Sequence, residues 1–96
     1  MEVKELNFKV ISQPNRITLT LDNRIVGFAT FPKISEDVVV INHTTIYPSY
    51  QGKGYAAKLM EEVVKVLIEN KLKCRASCSY AANWFSKHPE YQHLLD

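Results

Sequence analysis

Residues 50–57, Tyr-Gln-Gly-Lys-Gly-Tyr-Ala-Ala, place two glycines one residue apart at the start of the longest apolar stripe of helical period in the chain. The first turn of a helix leaves four backbone N–H groups unpaired, and the aligned peptide dipoles put partial positive charge there. Gly52 and Gly54 remove the Cβ atoms that would hold an anion away from those groups. The small Ala56 and Ala57 keep the next turn low, and Lys53 and Lys58 can add positive charge at the same end. The chemistry such a loop offers is the grip of a phosphate. A Walker-type loop is excluded, because no Gly-Lys-Ser/Thr triplet occurs, and the dinucleotide fingerprint is interrupted where Ala57 takes the third glycine position. Taken alone, the same pattern serves equally well as a tight turn.

The elements that must position this loop follow from periodicity. Arg16–Leu21 alternates Ile17, Leu19 and Leu21 against threonines, as a half-buried strand does, and Asp22-Asn23-Arg24 supplies a turn into a second strand over Ile25–Phe31. An earlier strand is expected within residues 6–12, closed by Gln13-Pro14-Asn15. After a turn over Pro32–Asp37, residues 38–46 form one strand, apolar on both faces at its start and ended by Pro48. From Gly54, the residues Ala56, Leu59, Met60, Val63, Val64, Leu67 and Ile68 share a face, predicting an amphipathic helix of about five turns that stops near Asn70-Lys71. Residues 72–79 read as a further strand, Ala81–Lys87 as a short helix, and Pro89–Leu95 as a final helical turn or two. The expected architecture is α/β: a mostly antiparallel sheet, one long amphipathic helix and short C-terminal helices.

Composition bounds what this fold can serve. At 96 residues there is room for one domain, spanning 1–96, and 46% apolar with 23% charged residues is the balance of a globular chain. A net charge of +2 with interspersed signs argues against a nucleic-acid partner, which would need Arg16, Arg24, Lys33 and Lys53 to converge. No run approaches the roughly 18 apolar residues of a membrane span, and the start MEVKELNFKV has no apolar signal core, so no membrane partner and a cytoplasmic location are expected. Cys74 and Cys78, four apart on a strand, would be separated by about 13 Å, too far for a disulfide, and with no further cysteine no metal site is expected. Free thiols fit a reducing compartment.

The segment Gln51-Gly52-Lys53-Gly54-Tyr55-Ala56 resembles the Gln/Arg-x-x-Gly-x-Gly/Ala motif of the Gcn5-related N-acetyltransferase superfamily, with Gln51, Gly54 and Ala56 at the diagnostic positions. The stretches INHTTIYPSYQGKG and CSYAANWFSKHPEY, together about a third of the chain, are similar to its small single-domain, YjdJ-type subgroup. The resemblance implies a minimal version of that fold acting as an acetyl-coenzyme A-dependent N-acetyltransferase on an unidentified amine, which a protein, a peptide or a small molecule would carry. It also implies that Gln51, Gly52, Lys53, Gly54, Tyr55, Ala56 and Ala57 grip the pyrophosphate of coenzyme A. The strand ending Thr45-Ile46-Tyr47 would pair with the pantetheine arm, and Asn83 and Trp84 would lie along its other flank. Two departures stand out. No helical pattern precedes residue 50, where the superfamily builds much of its acceptor pocket, and the usual Phe-Tyr pair appears as Trp84-Phe85, which removes the customary phenol. A large acceptor bringing its own surface fits the first departure; a coenzyme A-binding module without turnover is the alternative that both permit.

Three side chains are candidates for the chemistry this resemblance implies. Cys78 can act as a nucleophile through an acetyl-cysteine or as a thiol donor, although a cysteine is as often a small buried filler. His43 can take a proton from an ammonium acceptor, or serve as a structural histidine near a strand end. Tyr80 can replace the missing phenol, unless it packs with Trp84, Phe85 and Tyr91. Asn83 is equally suited to capping a helix.

Overall fold

The alternating first half of the chain becomes an antiparallel meander in the computed structural model, which describes residues 8–96. Strands β1 (Phe8–Gln13), β2 (Arg16–Leu21), β3 (Arg24–Thr30) and β5 (His43–Ile46) lie side by side in that order, all antiparallel. Residues 6 and 7 of the expected first strand lie outside the described residues. Asp22 and Asn23 both adopt positive φ, 50° and 67°, as a two-residue hairpin turn requires. Between Leu19 and Thr20 the register slips: Leu19 faces Gly27 while Thr20 faces Ile25, leaving Val26 as an extra residue. The resulting bulge lets Val26 enter the core, where it is fully buried.

The single strand expected over residues 38–46 is two strands. β4 (Val38–Ile41) leaves the meander and pairs in parallel with β6 (Lys73–Ala76), whereas β5 stays antiparallel to β3. The break falls at Asn42, whose amide donates to the Thr30 carbonyl (3.2 Å) and whose Oδ1 accepts from the Thr30 hydroxyl (2.6 Å). A continuous β-forming sequence gives no warning of this exchange of partners, because either pairing satisfies the same backbone groups.

Helix α1 (Tyr55–Glu69) packs on the meander through Leu59, Met60, Val63, Val64 and Leu67. Ile68, expected on that face, is half exposed (49%). Lys71, with φ of 56°, ends the helix, and the amide of Leu72 reaches back to the Leu67 carbonyl (2.9 Å). The strand expected over 72–79 is shorter, because the chain turns at Ser77 into helix α2 (Ser79–Ser86); a 3-10 segment over Pro89–Leu94 follows. One hydrophobic cluster joins Ile17, Leu19 and Ala29 of the meander to Val39, Ile41 and Cys74 of the parallel pair, and to Trp84 and Phe85 of α2.

Candidate active site

The exchange of partners at Asn42 opens a gap. Upstream, β4 and β6 are hydrogen-bonded neighbours; downstream, β5 follows β3 while the other chain segment turns away into α2. The head of the gap is closed by Ser77 and Cys78, whose amides both donate to the Ile41 carbonyl (3.1 and 3.2 Å). Cys78 caps α2: its sulfur accepts from the Ala81 amide at 3.3 Å, and its thiol donates to the Thr44 hydroxyl across the gap at 3.6 Å. Thr44 in turn donates to the Met60 sulfur of α1 at 3.8 Å. A partly exposed thiol thus stands at the head of the gap, oriented by one backbone donor and one hydroxyl.

The mouth of the gap is formed by the loop into α1. A 3-10 turn over Pro48–Tyr50 leads to Gly52 and Gly54, with φ of 79° and 80°, a left-handed conformation that costs side-chain-bearing residues more than glycine. A Cβ added at either glycine would meet nothing within 4 Å, so the backbone here faces open space. The first amide of α1 to find a helical carbonyl is that of Lys58, donating to Gly54 at 3.4 Å; among the described residues none accepts from Tyr55, Ala56 or Ala57. No acidic residue occupies the first turn. A cavity of about 250 Å³ lies against these amides, lined by Ile46, Tyr50, Gln51, Gly52, Gly54, Tyr55, Ala56 and Tyr80. Loop, strand end and α2 therefore converge on one concave surface with unpaired donors at its base.

The match to known proteins agrees with this geometry. The family model described as GCN5-related N-acetyl-transferase matches residues 16–94. The chain belongs to that family. Protein NATD1 of Gallus gallus is 26% identical over 61 residues, which are 64% of this chain and 56% of that protein; the chain spans about half the length of the curated relatives it matches. A GCN5-like protein from Staphylococcus aureus, solved in solution, superposes with a TM-score of 0.73 at 27% identity, covering 92% of this chain and 87% of that one. N-acetylglutamate synthase from Neisseria gonorrhoeae, complexed with coenzyme A and N-acetyl-glutamate, shares the fold at 20% identity and a TM-score of 0.64, over 76% of this chain and 18% of that one.

Within this GCN5-related fold the residues singled out by sequence divide into three groups. Gly52, Gly54, Tyr55, Ala56, Gln51, Ile46 and Tyr80 come together around the cavity. Gln51 also braces the loop, since its side-chain amide donates to the Ile46 carbonyl at 2.9 Å and ties the loop to the end of β5. Lys53 is exposed in the loop, and Ala57 is half-buried on α1. Lys58 is turned aside, its ammonium 5.2 Å from the ring centre of Phe8. Tyr80 is 37% exposed, and burial of the rest raises its phenol above the usual value, which keeps it protonated and able to donate.

Strand parity separates the second group. Thr44 pairs with Ala29 and faces α1, so His43 and Thr45, paired with Thr30 and Phe28, face the other side of the sheet. Tyr47 stands edge-on to Phe28 at 6.4 Å. His43 is exposed and lies on the opposite face from the hydroxyl that meets Cys78. The third group sits away from the cavity. Trp84 is buried in a stack with His88 and Tyr91, at 4.0 and 5.5 Å, and Asn83 is exposed in the body of α2, so the cap expected of it is supplied by Cys78. Cys78 itself is a helix cap rather than a strand residue. Thr44, Met60 and Tyr50 complete the site, and only the alternation of Thr44 with Ile46 hints at them in the sequence.

Proposed function

We propose that the protein transfers an acetyl group from acetyl-coenzyme A to an amine. The observation that carries this reading is the cavity at the start of α1, where unpaired amides and open glycines meet Tyr80 of α2, two residues along the chain from the Cys78 thiol that caps that helix. Unpaired N–H groups at a helix start, with no carboxylate beside them, suit a pyrophosphate. A gap flanked by an unpaired strand edge suits an extended arm carrying amides, such as pantetheine. The N-acetylglutamate synthase that shares the fold is complexed with coenzyme A, which supports coenzyme A as the ligand class.

In this reading Cys78 is the nucleophile. Its sulfur attacks the thioester carbonyl carbon, the Cys78 S–C bond forms as the coenzyme S–C bond breaks, and the coenzyme leaves as a thiolate that takes a proton from Tyr80. The Cys78 proton passes to solvent, from which Tyr80 is reprotonated. A neutral amine then attacks the acetyl-cysteine, forming the amide and returning the electron pair to Cys78, while the proton lost by the amine leaves to water. The Ala81 amide donates to the sulfur and can hold it through both steps, whereas the Thr44 hydroxyl accepts from the thiol and orients it only before its proton is lost.

Titration calorimetry with acetyl-coenzyme A and coenzyme A, followed by intact mass of the acetyl-coenzyme A sample, tests this directly. Binding of both, with a mass increase of one acetyl group that is lost in Cys78→Ala and discharged by an added amine, is the expected result. Binding without an adduct, combined with amine acetylation that survives Cys78→Ala, would replace the acetyl-cysteine by direct transfer. Binding with no acetylation of any amine would leave a coenzyme A-binding module.

A further inference from the structure

The sheet has a second face with its own chemistry. Ile17, Leu19 and Ala29 point toward α1; their neighbours Arg16, Thr18, Phe28 and Thr30 point the other way, and with them Lys9, Ile11, His43 and Thr45. Ile11 and Ile25 are 50% and 48% exposed there, on either side of Thr18 and Thr20, which are buried between the flanking strands' side chains. The charge of the face has one sign. Lys9 and Arg16 lie on it, and no strand residue on this face is Asp or Glu. The ion pairs among the described residues are Lys65 with Glu62 and Arg75 with Asp96, so Arg16 has none.

Arg16 is nevertheless held in place. Its guanidinium carbon lies 4.2 Å from the ring centre of Phe28, which itself meets Tyr47 edge-on. Stacking occupies the flat face of a guanidinium and leaves its fork of N–H donors at the rim, the geometry that reads a carboxylate. Register fixes where that fork lies. Arg16 is opposite Thr30, and Thr30 is opposite His43, so Arg16 and His43 are two strand spacings apart, about 10 Å. His43 immediately follows Asn42, the residue at which the gap opens.

We propose that this face receives the acceptor and that the acceptor is an acidic polypeptide segment: Arg16 holds a carboxylate of the segment while a lysine amine enters the gap past His43. The inference rests on the transferase reading and adds the substrate class. The row Ile11, Thr18, Phe28 and Thr45, continued by Tyr47, crosses the full width of the sheet, further than one amino acid reaches, which favours a chain over a small amine.

The test uses the full chain, saturating acetyl-coenzyme A and three blocked peptides, each with a single lysine flanked by glutamates, by glutamines or by arginines. The glutamate peptide is expected to show a KM about tenfold lower than the glutamine peptide, between the small worth of an exposed ion pair and that of a preorganised charged fork. Arg16→Gln should abolish the difference, Arg16→Lys should keep part of it, and Arg16→Glu should turn the preference toward the arginine peptide. Binding without acetyl-coenzyme A, followed by backbone amide shifts at Phe28, Thr30 and His43, gives a readout independent of turnover. Equal KM for the three peptides, a preference untouched by Arg16→Gln, or acetylation of free lysine in preference to every peptide would overturn the proposal. Glutamate-peptide shifts that vanish in Arg16→Gln, with no peptide acetylated, would keep the docking surface and remove the transferase reading. Absence of both shifts and preference, with acetyl-coenzyme A still bound, would remove the docking surface alone.

Discussion

Two cysteines four residues apart have opposite environments, and the difference decides which of them can do chemistry. Cys74 points into the core and is fully buried, with its thiol pushed up to about 11 by loss of hydration. Cys78 is partly exposed at the helix cap, where a backbone amide and a hydroxyl meet its sulfur. Iodoacetamide at mildly alkaline pH should therefore add one group to the native protein, at Cys78, and two in denaturant; peptide mapping reads the site. Labelling of Cys74 in the native state would mean that the β4–β6 layer opens far more often than its burial implies. Tyr80 supplies a second residue-scale expectation. Removing its hydroxyl with Tyr80→Phe should slow acetyl discharge from the coenzyme by about a hundredfold, the usual worth of one positioned proton donor, with little change in acetyl-coenzyme A affinity. An unchanged single-turnover rate would assign that proton to water.

The glycines make opposite demands on the elements they join. At Gly27 the backbone is an ordinary strand, but an added Cβ would lie 2.3 Å from the Thr45 carbonyl oxygen and 2.6 Å from a methyl of Ile46. Gly27→Ala must push β5 away from β3, a cost of about 1–3 kcal/mol by analogy with overpacked cores. Gly54→Ala meets no atom and pays only for its positive φ, about 1 kcal/mol. Urea denaturation should rank them in that order, while calorimetry should find coenzyme A binding weakened in both, through a displaced gap wall in one and a displaced loop in the other. The reverse order of stability would show that β5 is free to yield.

The same elements show what is legible in the sequence. Period and turn chemistry place β2, β3 and α1 within a residue or so, because each is fixed by local alternation, by Asp22-Asn23 or by an amphipathic stripe. The glycine loop at the start of α1 is legible for the same reason: a helix start and its missing Cβ atoms are local facts. The split at Asn42 is not, since it depends on Thr30, twelve residues away, supplying both a carbonyl and a hydroxyl. The alliance of Cys78 with Thr44 and Met60 is hidden likewise, because a cap is read from neighbours whereas this contact crosses 34 residues. Trp84 reads as a flank of the site and is instead core, its ring claimed by His88 and Tyr91 of the C-terminal segment.

At the scale of the molecule, two sheets that share few strand contacts are bound by one hydrophobic cluster, so loss of either layer exposes the other. Cys74 lies at their junction: on β6 opposite Val39, in the same cluster as Ile17 and Leu59. Its titration should therefore report on the whole fold. In the unfolded chain the thiol loses its proton near its ordinary value of 9.0, whereas in the folded chain it retains it to about 11. Across that window the unfolded state binds fewer protons than the native state, so stability must fall as pH rises from 9 to 11, and the contribution is fully present below 9. A shift of this size corresponds to about 2–3 kcal/mol. Cys74→Ala removes the titration along with a little packing. Its urea midpoint should start lower than that of the wild type at pH 8 and converge on it by about pH 10.5, inside that window, since tyrosines and lysines titrate alike in both proteins. Midpoints that stay a constant distance apart over that range would mean that the folded thiol ionises as readily as the unfolded one, through an opening of the β4–β6 layer that leaves the meander standing.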